Sequence, residues 1–525
     1  MTKKLFAFRI PHSAFVWILF AVVIVVVYFF GLSIPLLGPD EPRYAEVARE
    51  MFLRGDFVTP TLGGFDWFEK PALLYWLQII SYKLFGVSEF AARFGSAVFG
   101  LGTIFCLWIL GKSVQSPKSK VRSPKSEKQN LDSAFSIYHS SFANWLALIA
   151  ASSIGLIAFS HAASFDIILT FPITAALAAF FIFDQSEKKS GFTFYFLLFT
   201  FYFFVGVALI AKGLIGIIFP FAIVAFYYLL SRKLPSKTFI FSLFGGTILS
   251  LLVASIWYLP MYQANGWKFI DEFIIQQHFE RYVSNKYLHP QPFWFFFLVL
   301  PLMTIPWLPF FLASIWKFAK DFFQREDAKA RRELRITNYE LRIFAFAWML
   351  VPLVFFSLSG SKLPGYILPA LPAALILTAE YVYRFVKNNP RRKIALQFLA
   401  AAVFVCVMIA LQFFVESYAR NDTVKNLIAS ANAQGFADAK ILNLFDISHN
   451  AEFYGAGRLI RTADGKQKRF DGAAEIYEEL KNENKPALIL VPLDDVKYLT
   501  ESDLLTAKVL DDNGELAIVA VEAQR

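Results

Sequence analysis

Long apolar runs alternate with short polar segments along this chain up to residue 415, and there the pattern stops. Crossing about 30 Å of hydrocarbon takes roughly 20 apolar residues in a helix. Eleven runs meet or approach that length: 12–32, 90–111, 141–159, 166–184, 192–210, 213–230, 239–259, 293–315, 343–358, 366–386 and 394–415. A further apolar stretch, 72–86, is shorter and contains Lys83, which suits an interfacial helix or part of another span. Beyond 416 the periodicity changes. An amphipathic helix is predicted over Asn421–Gln434, strands over Ala439–Phe445, Ala487–Val491 and Leu516–Val521, and a second helix near 474–482. The expected architecture is therefore an all-α polytopic membrane protein of about 11–13 spans over residues 1–415, followed by a small C-terminal α/β domain over 416–525.

The polar segments give this pattern a direction. With the N-terminus in the cytoplasm and eleven spans alternating, the inside segments are 1–11, 112–140, 185–191, 231–238, 316–342 and 384–393. These hold the basic clusters, among them Lys118, Lys120 and Arg122, then Arg331, Arg332 and Arg335, then Arg391, Arg392 and Lys393, as the positive-inside rule requires. The outside segments, 33–89, 160–165, 211–212, 260–292 and 359–365, carry no such cluster. Odd parity then puts the C-terminal domain on the outer, extracytoplasmic side of an inner membrane.

Composition agrees with a bilayer. Of 525 residues, 57% are hydrophobic and 18% charged, against about 25% charged in a soluble domain. One compact soluble core is excluded. The net charge of +10 does not indicate nucleic-acid binding, because the bases lie between apolar runs, where they set orientation. Cys106 and Cys406 both fall inside apolar runs, so no disulfide framework is expected. The first run is not followed by a small-residue cleavage pattern and reads as an uncleaved span. The Ser/Lys-rich stretch 113–130 reads as a cytoplasmic insertion.

Candidate chemistry concentrates in residues 40–71, where seven acids and four bases sit beside the first span. Ionisable groups so placed are costly unless they meet water or line a polar cavity. Tyr44, Val47, Ala48, Met51 and Phe52 form one apolar stripe of a helix over 42–54, with Glu46, Glu50 and Arg54 on the other face. Asp40 and Glu41 precede Pro42, so two readings stand: a helix cap, or a catalytic carboxylate. The same side of the membrane also receives Glu69, Lys70, Asp166, Lys212, His278, Arg281, His289 and Lys362. Snorkelling explains a single lysine at a span end but not acids, histidines and lysines gathered on the side lacking the basic excess. Lysines and arginines (Arg43, Lys70, Lys212, Arg281, Lys362) suit a lipid phosphate. A carboxylate such as Asp40 suits general-base work or charge stabilisation at an anomeric carbon. Glu69 and His278 could hold a divalent cation, although two ligands are a weak metal signature and the sequence requires no cofactor. No phosphate-binding glycine loop, nucleophile elbow or H-E-x-x-H pattern is present, which argues against a nucleotide-sugar enzyme with a Rossmann domain.

These segments together resemble a known family. DEPRYAEVAREMFLRGDFVTP, WFEKPALLYWL, FGVSEFAARFGSA, SFDIILTF around Asp166, ALIAKGLIGIIFP around Lys212, QHFERY with His289-Pro290, and SKLPGYILPALP around Lys362 follow one another. In that order they resemble the bacterial lipid A 4-amino-4-deoxy-L-arabinose transferases and the wider dolichyl-phosphate-mannose protein mannosyltransferase family, over about residues 1–415. The resemblance implies a GT-C fold and an inverting glycosyltransferase that uses a polyprenyl (undecaprenyl) phosphate sugar donor. It implies an acceptor in the envelope, lipid A first, with protein O-mannosylation as the alternative. Carried over, Asp40 with Glu41 and Asp166 match catalytic positions. Arg43, Lys70, Lys212, Lys362 and Arg281 match donor-phosphate positions, and Glu69 with His278 match positions able to take a divalent cation. Gly365 departs from a commoner Thr. A lipid-linked-sugar flippase is the reading from another class; it predicts internal repeats and helices broken at the midplane, and the spans show no repeat.

Overall fold

A computed structural model describes residues 12–114, 141–186, 190–280, 290–323, 339–483 and 485–524. Arg281, His289 and the Ser/Lys-rich 115–130 lie outside these, as does the side chain of His278. Among the described residues seven helices are long and apolar enough to cross a membrane, and nine if two bent pairs each count as one span. Two shorter apolar helices, Ala14–Phe29 and Ile215–Ser231, fall on the remaining two predicted runs.

Burial ranks the helices. The window of Phe165–Gln185 is 83% buried, whereas those of Lys237–Gln277 and Pro390–Asp422 are 22% and 17% buried. With Pro364–Val386, 89% buried, the first forms the centre of the bundle, and the other two leave most of their apolar surface outside it, where in lipid such side chains need no protein partner. Small residues permit close helix contact: Gly216 lies on the backbone of Ala208, and Gly246 lies on the Tyr202 ring, so a Cβ at either would overlap its neighbour.

Two predicted straight spans are broken. Ser141–Ala151 and Ile154–Ser160 meet at 62°, and Phe295–Met303 and Leu308–Phe322 at 118°. A break within the hydrocarbon exposes backbone groups that need partners, and the two breaks supply each other. Ile154 N–H donates to Ile305 O at 2.8 Å, and Trp307 Nε1 donates to Ser152 Oγ at 3.0 Å. The run 293–315 is thus a sharply turned element, and nothing in its apolar composition signals the turn except Pro301 and Pro306.

The predicted loop 260–292 is also corrected in its first part. The helix that begins at Lys237 runs on past residue 260 to a kink at Gly266, beyond which the chain stays helical to Phe269 and continues π-helically over Ile270–Glu280. This extension rests on the segment after the first span. Trp257 Nε1 donates to Val58 O at 2.9 Å, Asn265 Nδ2 donates to Thr59 Oγ1 at 3.1 Å, and Lys268 pairs with Asp66 at 2.6 Å. Phe68 and Ala72 pack against Trp257, Met261, Phe269 and Phe273.

That segment has its own architecture. Helix Asp40–Arg54 is followed by a hairpin of β1 (Thr61–Leu62) and β2 (Phe65–Asp66), and then by helix Leu73–Phe85. Glu50 accepts from Thr61 Oγ1 at 2.6 Å, Gly63 N at 2.5 Å and Gly64 N at 3.2 Å, so it pins the hairpin instead of pairing with Arg54. The predicted apolar stripe is buried as expected, but Glu46 is buried too. Its partners are Arg49 at 2.5 Å and, through Arg49, the carbonyl of Phe453 at 2.9 Å. The outer face of this helix is therefore covered by the C-terminal domain.

The last long apolar helix runs from Pro390 to Asp422, through a π-helical stretch over Ala410–Val415, and leads into that domain. Its sheet has the order β4-β3-β5-β7-β6, from β3 (Ile441–Leu444), β4 (Arg469–Phe470), β5 (Ala487–Pro492), β6 (Leu505–Asp512) and β7 (Leu516–Ala523). β3 pairs in parallel with β4 and β5, whereas β7 runs antiparallel between β5 and β6. The period of two sends alternate residues to opposite faces. Leu442, Leu444, Ile489, Val519 and Val521 pack with Ile476 and Leu480 of helix Ala473–Leu480. Ile441, Leu488, Leu490 and Ile518 pack with Leu427 and Ile428 of helix Lys425–Ala431.

Candidate active site

Of the two readings of the pair before Pro42, the helix cap is not what the structure shows. Helix Asp40–Arg54 begins at Asp40, and no side chain caps it. Pro42 is its third residue. Asp40 is 54% exposed and lies 3.5 Å from Arg43, one turn along. Glu41, its neighbour, is buried. Its carboxylate accepts from Arg93 Nε at 2.9 Å and Nη2 at 2.6 Å, from Leu37 N at 2.9 Å and from Ala163 N at 2.6 Å. Burial raises the Glu41 pKa, but the Arg93 charge and these hydrogen bonds overcome it and hold the carboxyl below its ordinary value. Arg93 also donates to the carbonyls of Leu32 and Pro35 at 3.1 and 3.0 Å. Glu41 thus ties the first span, the helix Glu89–Ser113 and the Ala163 turn together. Its hydrogen bonds hold these elements in place, and Asp40 is the carboxylate of the pair that faces open space.

Around Asp40 stand Arg43, Trp67, Glu69, Tyr44 and Tyr75. The Arg43 guanidinium lies over the Trp67 ring, 5.3 Å from its centroid. Tyr44 and Tyr75 are both pushed well above the ordinary phenol pKa, first by burial and then by the acids near them, Asp40 and Glu69, with Arg43 opposing. Both therefore remain neutral donors. Trp67 Nε1 and Tyr75 Oη are buried without a hydrogen-bond partner. Trp67 lies close enough to favour the Tyr75 phenolate, but no geometry within hydrogen-bond range joins them. Two unsatisfied donors at a buried site are costly.

A second group adjoins the first through Phe165. Its ring meets Tyr44 edge-on at 4.9 Å and Tyr75 at 5.4 Å. The next residue, Asp166, sits in the first turn of Phe165–Gln185, whose start is capped by Ser164 Oγ accepting from Asp166 N at 3.1 Å. Asp166 forms an ion pair with Lys212, and the Lys212 amine lies 4.9 Å from the Tyr366 ring centroid. Gly365 lies directly on this pair: a Cβ there would overlap the Asp166 carboxylate and the Phe159 ring. The departure from Thr at 365 therefore has a local geometric basis. Lys362 is turned into the loops, donating to Gln291 O at 2.9 Å and Ser359 O at 2.6 Å. Burial lowers its pKa, and one of its three donors remains.

The structure thus brings together Asp40, Arg43 and Glu69, with Asp166 and Lys212 alongside. Lys70, half-buried, follows Glu69. Arg281 and the His278 side chain lie outside the described residues. No group of three His, Cys, Asp or Glu side chains able to hold a metal occurs among the described residues. Sequence reading missed Arg93, Tyr44, Trp67 and Tyr75. For Arg93 a signal existed, since an arginine within an apolar run demands a partner. The aromatic residues gave none, in a chain with 61 Phe and 21 Tyr.

The C-terminal domain completes the enclosure. Tyr454 Oη accepts from Leu36 N and donates to Glu89, both at 3.0 Å, and Lys425 pairs with Glu89 at 2.5 Å. Arg461 lies against Gly63 of the hairpin. Between this domain and the turn just before Asp40 is a cleft of about 410 Å³.

No protein-family profile matches the chain. Among curated proteins it is 27% identical, over 83% of its length and 72% of the relative's, to an undecaprenyl phosphate-alpha-4-amino-4-deoxy-L-arabinose arabinosyl transferase of Yersinia enterocolitica. It is 29% identical to the same enzyme of Aeromonas salmonicida, over 66% of this chain and 56% of that protein. The match to the Aeromonas relative thus spans little more than half of it. Among solved structures, ArnT from Cupriavidus metallidurans bound to undecaprenyl phosphate superposes with a TM-score of 0.78 at 21% identity, over 97% of this chain and 98% of that one.

Proposed function

We propose that this chain, which has the GT-C fold and is similar in sequence to the arabinosyl transferases, is an inverting membrane glycosyltransferase. It moves 4-amino-4-deoxy-L-arabinose, or a related sugar, from undecaprenyl phosphate to lipid A. The observation that carries this reading is the exposed Asp40 carboxylate loosely paired with Arg43, beside the Asp166–Lys212 pair and beneath a second domain. An ion pair of 3.5 Å between partly exposed groups is worth only about 0–1 kcal/mol. Arg43 can therefore exchange its contact with Asp40 for a bidentate contact with the donor phosphate. Lys70 and Lys212 add positive charge where the leaving phosphate forms. One such contact at about 4 Å is worth on the order of 4 kcal/mol at intermediate dielectric.

The reaction forms a bond from an acceptor oxygen to the anomeric carbon as the bond from that carbon to the carrier phosphate breaks. The electron pair stays on the carrier phosphate. If the acceptor is a lipid A phosphate, no proton need be removed. Asp40 then stabilises the positive charge that develops at the sugar ring. The proposed orientation has the N-terminus cytoplasmic and the C-terminal domain periplasmic, supported by the basic clusters lying between spans on the opposite side from Asp40. Mass spectrometry of lipid A from cells with and without the gene tests the function. The expected result is an added amino-pentose that depends on the gene; identical lipid A in both would overturn the reading.

A further inference from the structure

The hairpin of β1 and β2 is too short to hold itself. Each strand has two residues, and a two-stranded hairpin is marginal on its own in water, so its place is set by what grips it. On the membrane side, Glu50 accepts from its tip and Asp66 pairs with Lys268. On the other side, the C-terminal domain grips it by two reciprocal contacts. Gly63, at φ 62°, lies under the Arg461 guanidinium, and Gly465 of the domain, at φ 83°, lies under the Phe65 ring. Both backbone angles favour glycine, and a Cβ at either position would overlap the side chain above it. Arg461 is itself held firmly. Its side chain is 8% exposed and pairs with Glu452 at 2.5 Å, and its Nη1 donates to Gly465 O at 3.0 Å. Glu452 accepts from Gln467 Nε2 at 2.8 Å, and Gln467 accepts from Asn443 Nδ2, on β3, at 2.9 Å. The attraction in a buried ion pair barely repays its desolvation, so what this relay secures is direction: the sheet aims one guanidinium at the hairpin tip.

The far end of the hairpin leads into the reacting cluster. β2 runs directly into Trp67, whose backbone N–H closes the base of the hairpin on Pro60 O at 3.0 Å. Arg43 lies over the Trp67 ring, and its ion pair with Asp40 is loose. We propose that the C-terminal domain sets the place of Arg43 at the donor phosphate through this hairpin, with Arg461 as a positioning residue that acts through Trp67. The proposal rests on the transferase reading above and deepens it: the second domain is part of the donor-phosphate site although none of its own side chains need touch the phosphate.

Binding of undecaprenyl phosphate to the detergent-solubilised full chain tests this in a cycle of two changes. One combines Arg461→Gln with Glu452→Gln, so that neither buried charge is stranded; the other is Arg43→Gln. In the wild-type background the domain change is expected to weaken binding by roughly ten-fold, the low end for one charge-assisted contact. In the Arg43→Gln background it is expected to cost nothing further, because residues that act through one another are not additive. Phe65→Ala, at a position 41% exposed, repeats the test without touching a buried charge, and its effect should show the same dependence on Arg43. An equal loss in both backgrounds, as a general loosening of the fold would give, overturns the proposal, and so does wild-type affinity in the folded domain variant. If the chain binds undecaprenyl phosphate with this coupling but transfers no sugar, the transferase reading falls and the positioning role stands. If it transfers sugar and shows no coupling, the positioning role falls and the transferase reading stands.

Discussion

Asp40 and Glu41 are adjacent and chemically alike, yet their surroundings give them opposite tasks. Glu41 accepts four hydrogen bonds, two of them from the buried cation Arg93; Asp40 has one loose partner and open space. Breaking a buried ion pair by removing one member costs roughly 3–5 kcal/mol, because the other charge is stranded. Arg93→Ala is therefore expected to lower the melting temperature of the detergent-solubilised protein sharply, whereas Asp40→Asn should leave it unchanged; comparable melting losses in the two would refute this division of labour. At Gly365 the expectation is different. Gly365→Thr places atoms on the Asp166 carboxylate and Phe159, which moves the Asp166–Lys212 pair. A displacement of about 1 Å near reacting groups can cost on the order of 100-fold in rate, so transfer should fall steeply while the melting temperature changes little. Wild-type kcat in Gly365→Thr would show that this pair does not position substrate.

At the scale of elements, the interface between helix Asp40–Arg54 and the C-terminal domain contains a titrating group. Burial pushes the Glu46 pKa up to about 8, with Arg49 opposing and Glu50 and Glu452 adding to the rise. A carboxyl whose pKa is raised on folding favours the protonated state. Its contribution is fully present below the unfolded value, near 4.5, and is lost as pH climbs through about 8. Docking of the domain should therefore weaken from pH 5 toward 8, and Glu46→Gln should flatten that dependence. Hydrogen exchange of the 446–456 backbone across this range checks it; an equally steep profile in the variant would place the titration elsewhere. This buried acid also marks where sequence reading ends. The stripe Tyr44–Val47–Ala48–Met51 was legible because a helix presents i, i+3, i+4 and i+7 together. Glu46 was assigned to solvent because periodicity cannot know that a domain 400 residues later covers the far face. β6 was missed for a related reason. It is an edge strand with Lys508, Asp511 and Asp512 on exposed or half-exposed positions, so its apolar alternation is diluted. The bend at 152–153 gave no sign and the one at 304–307 only its prolines, because composition reports apolarity and not direction.

Across the whole molecule, the eleven apolar runs and the gathering of Asp40, Asp166 and Lys212 on one side were readable from span parity and charge alone. What parity could not give was distance: that Phe165 joins the Asp40 and Asp166 groups, that Lys362 turns into the loops, or that the C-terminal domain contacts Leu36, Arg49 and Glu89. This packing places the domain on the same face as Asp40. Alkaline phosphatase fused after Arg525 should accordingly be active in the periplasm, and a fluorescent, cytoplasmic C-terminal reporter would reverse the proposed orientation. The central claim is that an exposed carboxylate at the head of one juxtamembrane helix serves sugar transfer from a polyprenyl phosphate. The most direct measurement uses purified full-length chain, undecaprenyl-phosphate-linked 4-amino-4-deoxy-L-arabinose and lipid A, comparing wild type with Asp40→Asn at matched melting temperature. The account predicts that kcat falls by about 100-fold or more, as loss of a preorganised charge at the reacting centre does, and transfer by Asp40→Asn at the wild-type rate would contradict it.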